Sequence, residues 1–362
     1  MNKKILIIIN NLGIGGAERL VAGDINEMLR MGIDVSLVTL VPEPPKSFAS
    51  VLHLKLDRFR CIHFKHFLDI PAWFKLGRFI RVSKPNLVIT HLWFANTIGR
   101  IAAKIAGAKN VVSFEHNVYD TVKTGKMFFV DRCLQFLSNK IIAVSDAVKE
   151  SLVRHAICES KIEVLCNGID TKPFSVTCDR LKIRREYGVP ENVFLYLFIG
   201  RLIHQKAVDI LIEAFKRIET DACLLIVGQG KDRDMLEELV KKLGLQKRVI
   251  FAGIRNDVPQ LLMSSDCFVL PSRHEGLPMV LIEALAAGAA TIVSDFASAG
   301  EVVTHEKNGL IFPREDVDAL AHAMMRIKND ANLRESLILE SKRSAERFSI
   351  SNHVEALARY IT

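Results

Sequence analysis

The chain has no Cys-x-x-Cys pair. Its seven cysteines, at positions 61, 133, 158, 166, 178, 223 and 267, are scattered, which fits reduced thiols and argues against a disulfide framework or a zinc site. It has no uninterrupted apolar run of about eighteen residues, so no membrane-spanning helix is expected. No internal repeat or low-complexity tract interrupts it. The apolar run at the N-terminus, Ile5 to Ile9, is short and gives way to turn residues, not to a small-residue cleavage site. It reads as a buried strand and not as a signal peptide. What is present is ordinary for a soluble enzyme: 362 residues, 49% apolar and 25% charged. That length exceeds what one core usually supports, so two domains are expected. The expected location is cytoplasmic, with a peripheral place on the inner face of the membrane as an alternative.

The positive charge is unevenly placed. Residues 1–170 hold 23 Lys/Arg and 15 Asp/Glu, and residues 171–362 hold 26 of each, so the net +8 lies in the first half. Within it, residues 55–84 carry eight Lys/Arg against two acids, interleaved with Phe59, Phe64, Phe67, Trp73, Phe74 and Phe79. Two readings stay open: a seat on anionic lipid, or a solvated helix face over a core. Nucleic acid is not expected as a partner, because no nucleic-acid-binding module appears elsewhere.

Apolar runs at 5–9, 35–41, 87–90, 111–114 and 141–144 alternate with helix-length segments, the pattern of a doubly wound parallel sheet. A second series runs through FLYLFIG, ACLLIVG, VIFAG, CFVLP and ATIVS. Together they predict an α/β protein of two facing Rossmann-like domains with a cleft between them. The expected bounds are 1–168 and 169–350, with a final helix at 351–362. Residues 167–192 are read as the crossing segment.

Four motifs carry chemistry. Glu275 and Glu283 stand eight residues apart, bracketing Gly276, Leu277 and Pro278 and then a helix otherwise apolar. A carboxylate inside such a helix needs a polar partner, either an Arg or a ligand hydroxyl. Arg201 and Lys206 follow the strand FLYLFIG before an amphipathic segment; two cations near a helix start suit a diphosphate. Gly13, Gly15 and Gly16 follow the first strand, where backbone N–H groups at a helix start hold an anion. Glu18 occupies the place of the third glycine of a dinucleotide fingerprint and no ribose-binding acid ends the next strand, which disfavours NAD. His116 follows a strand in VVSFEHN, and a neutral imidazole there accepts a hydroxyl.

This set resembles the retaining glycosyltransferases of the GT-B fold, family 4 of the sequence classification: Glu-x7-Glu, Gly-Arg-Leu…Gln-Lys, the Gly-Gly-Ala-Glu loop and Asn-Gly-Ile-Asp occur in the family's order. Ala207 stands where that family usually has glycine. The resemblance implies transfer of a sugar from a nucleoside diphosphate, most often UDP, to a saccharide hydroxyl with retained configuration. It implies Glu275, Arg201, Lys206 and His116 as catalytic groups, and Gly15, Gly16, Gly276, Leu277, Pro278 and Glu283 as further donor contacts. Asn167 and Asp170, with the pieces around Ser145 and 298–313, are implied as positioning elements. No cofactor and no metal is expected, since the two cations neutralise the leaving group. A lipid-linked acceptor in cell-envelope polysaccharide assembly is implied by the resemblance together with the basic stretch. Loss of Glu275 or Lys206 is expected to abolish transfer and leave folding intact. A sugar-nucleotide epimerase and a non-catalytic membrane-surface binding protein are the alternatives; a dehydrogenase would need NAD.

Overall fold

Apolar runs without alternation become strands only where both faces of a sheet are covered, and a parallel sheet flanked by helices provides that. The computed structural model describes residues 4–118 and 123–361 and divides into two compact units, Met1–Asp170 with Phe348–Thr362, and Thr171–Arg347.

In the first unit, β1 (Lys4–Ile9), β2 (Asp34–Thr39), β3 (Phe59–Cys61), β4 (Leu87–His91), β5 (Val111–Glu115), β6 (Lys140–Ala143) and β7 (Ile162–Val164) form a seven-stranded sheet in the order β3-β2-β1-β4-β5-β6-β7. The pairings are parallel, with Ile5 opposite both Val35 and Leu87. Ile5 to Ile9 are all buried. The order reverses between β1 and β4, which is where α/β sheets place ligands, at the carboxyl ends of the strands.

The second unit repeats the plan. β8 (Phe194–Ile199), β9 (Ala222–Val227), β10 (Val249–Gly253), β11 (Cys267–Leu270), β12 (Ala290–Ser294) and β13 (Leu310–Phe312) run parallel in the order β10-β9-β8-β11-β12-β13. Its reversal lies between β8 and β11. Tyr196, Phe198, Phe215 and Phe268 are fully buried around the central strands, each removal from water contributing roughly 1.5–3 kcal/mol.

Three strands escape the sequence pattern: β3, β7 and β13. Each has three residues and lies at a sheet edge, and β3 is largely exposed, so neither length nor apolarity announces it. Residues 167–192, read as a plain crossing segment, contain a helix at Arg180–Glu186. Asp179 caps it by accepting from Lys182 N at 2.9 Å, and the buried Arg184 anchors it to Asp266 at 3.1 Å. A polar helix tied down by one buried guanidinium has no apolar stripe to reveal it.

The last helix, Ile350–Ala358, packs on the helix Gly16–Arg30 of the first unit; Thr362 lies outside the described residues. Its entry is bonded to the stretch where the chain leaves that unit: Ile169 N donates to Phe348 O and Ile350 N to Ile169 O, both at 2.8 Å. Gly168 permits this approach, since a Cβ there would lie 2.6 Å from His353 Cβ and 2.9 Å from Ile350 Cα.

Candidate active site

In the second unit, β8 and β11 flank the reversal point, and the loops leaving them carry Arg201, Lys206 and Glu275. β8 passes into Gly200 and Arg201, then a 3-10 turn at His204–Lys206 and the helix Val208–Phe215. Ala207 joins them at φ 49°, ψ 41°. That left-handed conformation is the one glycine adopts without cost, so the loop keeps a glycine-type backbone while carrying a methyl group.

Lys206 and Glu275 form an ion pair, Nζ to Oε1 at 2.5 Å, with side chains only 12% and 8% exposed. Ser272 Oγ donates to the same carboxylate oxygen at 2.6 Å. The two loops are also stitched through their backbones: Arg273 N donates to Gln205 O, and Gln205 Nε2 to His274 O, both at 2.8 Å. Arg273 in turn grips Asp209 at 2.9 Å and Glu315 at 2.6 Å. Burial pushes the His274 imidazole below its usual pKa, against the pull of Glu275. Ser272 and Arg273 were not singled out in the sequence, and Gln205 entered only as a letter of the Gln-Lys motif without a role; polar residues in such positions give no signal without the contacts.

Arg201 is exposed and makes no ion pair with a described residue. A buried cation already paired beside an unpaired one suits an incoming polyanion. Gly276, Leu277 and Pro278 are buried in the turn before the helix Met279–Ala287, which starts after Pro278 as its cap. Glu283 lies within that helix at 2% exposure.

The remaining sequence candidates belong to the first unit. Gly15 caps the helix Gly16–Arg30 in extended conformation, φ −163°. A Cβ at Gly15 would lie 2.2 Å from Glu18 Oε2, so the carboxylate of Glu18 sits over the helix start that the sequence suggested for an anion. An acid there is favoured by the helix dipole, and an anionic ligand would have to displace it. The loop before it is held by Glu43, whose carboxylate accepts from Leu12 N at 2.9 Å and whose pKa is raised by burial.

His116 leaves β5 with Nε2 at 3.0 Å from His91 Nδ1. Burial, and then the nearby His353, hold its pKa down to about 3; burial likewise holds His91 well below the usual value. Both rings are therefore neutral, and one nitrogen of His116 is turned inward. His353, on the last helix, donates from Nδ1 to Cys166 O at 2.7 Å and faces Asp24 at 3.5 Å. Burial opposes its charge, but Asp24 and the carbonyl outweigh that and raise its pKa. Asn167, buried, and Asp170, exposed, flank the Gly168–Ile169 pair bonded to the last helix.

Helix Ile70–Ser83, in the basic aromatic stretch, buries Ala72, Leu76 and Ile80. Trp73 packs edge-on against Phe64 at 5.4 Å. Its outer side is more than a solvated polar face: Leu68, Ile70, Phe74 and Val82 are exposed, Phe74 by 75%, among the exposed Lys75, Arg78 and Arg81. Among the described residues no helix is long and apolar enough to cross a membrane.

Two Asp-x-Asp triplets occur, Asp232-Arg233-Asp234 and Asp316-Val317-Asp318. Both stand at helix starts; Asp316 caps by accepting from Ala319 N at 2.8 Å, and Asp318 pairs with Arg217. Among the described residues no group of three His, Cys, Asp or Glu is placed to hold a metal ion.

The profile of Glycosyltransferase Family 4 matches residues 14–173, and that of Glycosyl transferases group 1 matches residues 179–344. A UDP-Gal:alpha-D-GlcNAc-diphosphoundecaprenol alpha-1,3-galactosyltransferase of Escherichia coli is 30% identical over 275 residues, spanning 72% of this chain and 71% of that one. The chain belongs to glycosyltransferase family 4. A second relative of this glycosyltransferase is the N-acetylgalactosamine-N,N'-diacetylbacillosaminyl-diphospho-undecaprenol 4-alpha-N-acetylgalactosaminyltransferase of Campylobacter jejuni, 26% identical over 96% of both chains. In fold, the glycosyltransferase is similar to Anabaena HepE solved with UDP and glucose: TM-score 0.90 at 22% identity, covering 99% of this chain and 98% of that one. Its architecture is that of the GT-B glycosyltransferases.

Proposed function

We propose that this glycosyltransferase moves a sugar from a UDP-sugar to a hydroxyl of a lipid-linked saccharide in cell-envelope polysaccharide assembly, retaining the anomeric configuration and using no metal. The observation that carries this reading is the Lys206–Glu275 pair beside the unpaired Arg201, set at the reversal point of the second unit's sheet. Breaking the anomeric C–O bond leaves negative charge on the departing diphosphate. Arg201, with its planar fork, and Lys206, as a point charge held in place by Glu275, stabilise that charge as it grows. The acceptor oxygen bonds to the anomeric carbon on the face the diphosphate leaves, and the acceptor proton passes to a phosphate oxygen. Glu275 lies beside the donor sugar, Glu283 holds the nucleotide ribose, and the neutral His116 accepts a sugar hydroxyl.

The donor's base is proposed from HepE, solved with UDP and glucose. The lipid-linked acceptor is proposed from the Escherichia coli and Campylobacter jejuni relatives, both named for diphosphoundecaprenol-type substrates. Such an acceptor lies at a membrane surface, and the exposed Phe74 and Leu68 among Lys75, Arg78 and Arg81 suit a peripheral seat on anionic lipid.

Thermal unfolding with UDP, GDP, ADP and NAD, each with a chelator, tests the reading, because a ligand bound only by the folded state raises apparent stability. Stabilisation by UDP without metal is expected. Stabilisation by GDP or ADP in its place would replace the base, and stabilisation by NAD alone would overturn the transferase reading. A radiolabelled UDP-sugar converted to its epimer without an acceptor would favour the sugar-nucleotide epimerase.

A further inference from the structure

We infer that Gly228 and Gly230, in the loop leaving β9, are positioning residues for Arg201: their missing side chains let this loop brace the backbone on both sides of Arg201, and the brace sets the direction from which the guanidinium meets a diphosphate. The inference rests on the assignment of Arg201 to the donor diphosphate.

β9 is the sheet neighbour of β8, and the pairing continues past both strand ends. Gly200 N donates to Val227 O and Leu202 N to Gln229 O, each at 3.0 Å; Asp232 N donates back to Leu202 O at 3.1 Å. The loop itself is held from its other side by Gly228 N to Gly253 O at 2.8 Å. A Cβ at Gly228 would stand 1.9 Å from Gly200 O, and one at Gly230 would stand 2.1 Å from Leu202 O and 2.7 Å from Leu202 N. Those obstacles are backbone atoms of the residues immediately before and after Arg201, so no side chain can swing aside to make room.

Turn conformation alone does not account for both glycines. Gly228 has φ 138°, which favours glycine whatever surrounds it. Gly230 is not in the left-handed region, yet it is the position where a Cβ would press on Leu202. Space, not conformation, selects glycine there. Arg201 meanwhile has no ion-pair partner among the described residues, so no neighbouring acid sets where its guanidinium starts from, and what the fold sets is its backbone. A few tenths of an ångström at Gly200 or Leu202 is magnified at the end of a long side chain, and bidentate contacts tolerate little misplacement.

The test measures binding of UDP and of uridine by calorimetry to the full chain and three variants. Gly230→Ala is expected to weaken UDP about tenfold, the loss of one charge-assisted contact, and to leave uridine binding unchanged. Arg201→Ala is expected to do the same, and Gly230→Ala added to it to cost less than about twofold more, because the brace acts through Arg201. Equal loss of UDP and uridine binding in Gly230→Ala, unchanged UDP binding, or a full additional loss in the double variant would each overturn the inference while leaving the donor site standing. Unchanged UDP binding in Arg201→Ala would overturn the donor-site assignment and the inference with it. Should Gly230→Ala fail to fold, Asp232→Pro decides, with Asp232→Ala as the control for loss of the carboxylate: beyond that control it deletes the N–H that holds Leu202 O, at φ −91°, near the range of proline. The same selective loss of UDP supports the brace, and unaltered UDP affinity refutes it.

Discussion

Replacing Lys206 by Met is expected to destabilise the second unit as well as to stop transfer. Met keeps the length of the side chain and removes its charge. Glu275, 6% exposed, would keep Ser272 Oγ, at 2.6 Å, as a donor to its carboxylate. Stripping one partner from a fully buried ion pair costs about 3–5 kcal/mol. The slight exposure of Lys206 and the surviving hydroxyl bring the expected loss to about 2–3 kcal/mol. For a unit of this size that is a fall of roughly 5–10 °C in Tm. Glu275→Gln should cost less, about 1 kcal/mol, because the flexible Lys206 can turn its ammonium into water. The double variant, with neither charge buried, should be more stable than Lys206→Met alone, with a coupling of about 1–2 kcal/mol. Near-UV circular dichroism during ligand-free heating reads all three. A double variant no more stable than Lys206→Met, or a Lys206→Met transition within about 1 °C of the parent, would refute the reasoning.

Glu283→Gln should weaken UDP binding about tenfold if the carboxylate holds a ribose hydroxyl, measured by calorimetry; unchanged affinity would return Glu283 to a structural role. His116 is neutral in the fold, with its pKa lowered to about 3, while the unfolded imidazole binds a proton below about pH 6.5. Its contribution to stability is present above that pH and is lost as pH falls from about 6.5 towards 3. His116→Gln should flatten the urea-unfolding profile in that window by at most about 1.4 kcal/mol per pH unit; parallel profiles would refute this. Exchanging Lys75, Arg78 and Arg81 for Glu should cut flotation with phosphatidylserine vesicles about 100-fold or more. Unaltered flotation would show that this helix does not seat the protein.

Strands of four residues or more were legible because parallel strands covered on both faces read as continuous apolar runs, as Ile5 to Ile9 and Phe194 to Phe198 do. The edge strands and the helix Arg180–Glu186 were not, since a three-residue edge and a polar helix offer no periodicity. Within the candidate site, residue type and spacing picked out Arg201 with Lys206 and Glu275 with Glu283. That Lys206 and Glu275 form one pair was not visible: they are 69 positions apart, and only the β8–β11 adjacency joins their loops. The inward turn of His116 towards His91 was hidden for the same reason: it depends on a distance between the ends of neighbouring strands, which no local pattern encodes. The placement of Glu18 over Gly15 is local, three residues apart at one helix start, a capping position that the reading of this loop as an anion site passed over.

The second unit is inserted into the first: the chain departs after Asp170 and comes back at Phe348. A ribosome making this protein therefore delivers all seven strands of the first sheet long before the helix that carries His353. Residues 171–347 must be synthesised in between, roughly 10–30 s at about 5–20 residues per second. Throughout that interval the buried carboxylate of Asp24 has no His353 to face, and the side of Gly16–Arg30 that later receives the last helix stands open to water. The second unit, by contrast, has its whole sequence in hand before its neighbour does. The nascent first unit is thus the part with most need of a chaperone, and a chain cut short by its final dozen residues would keep that need for life.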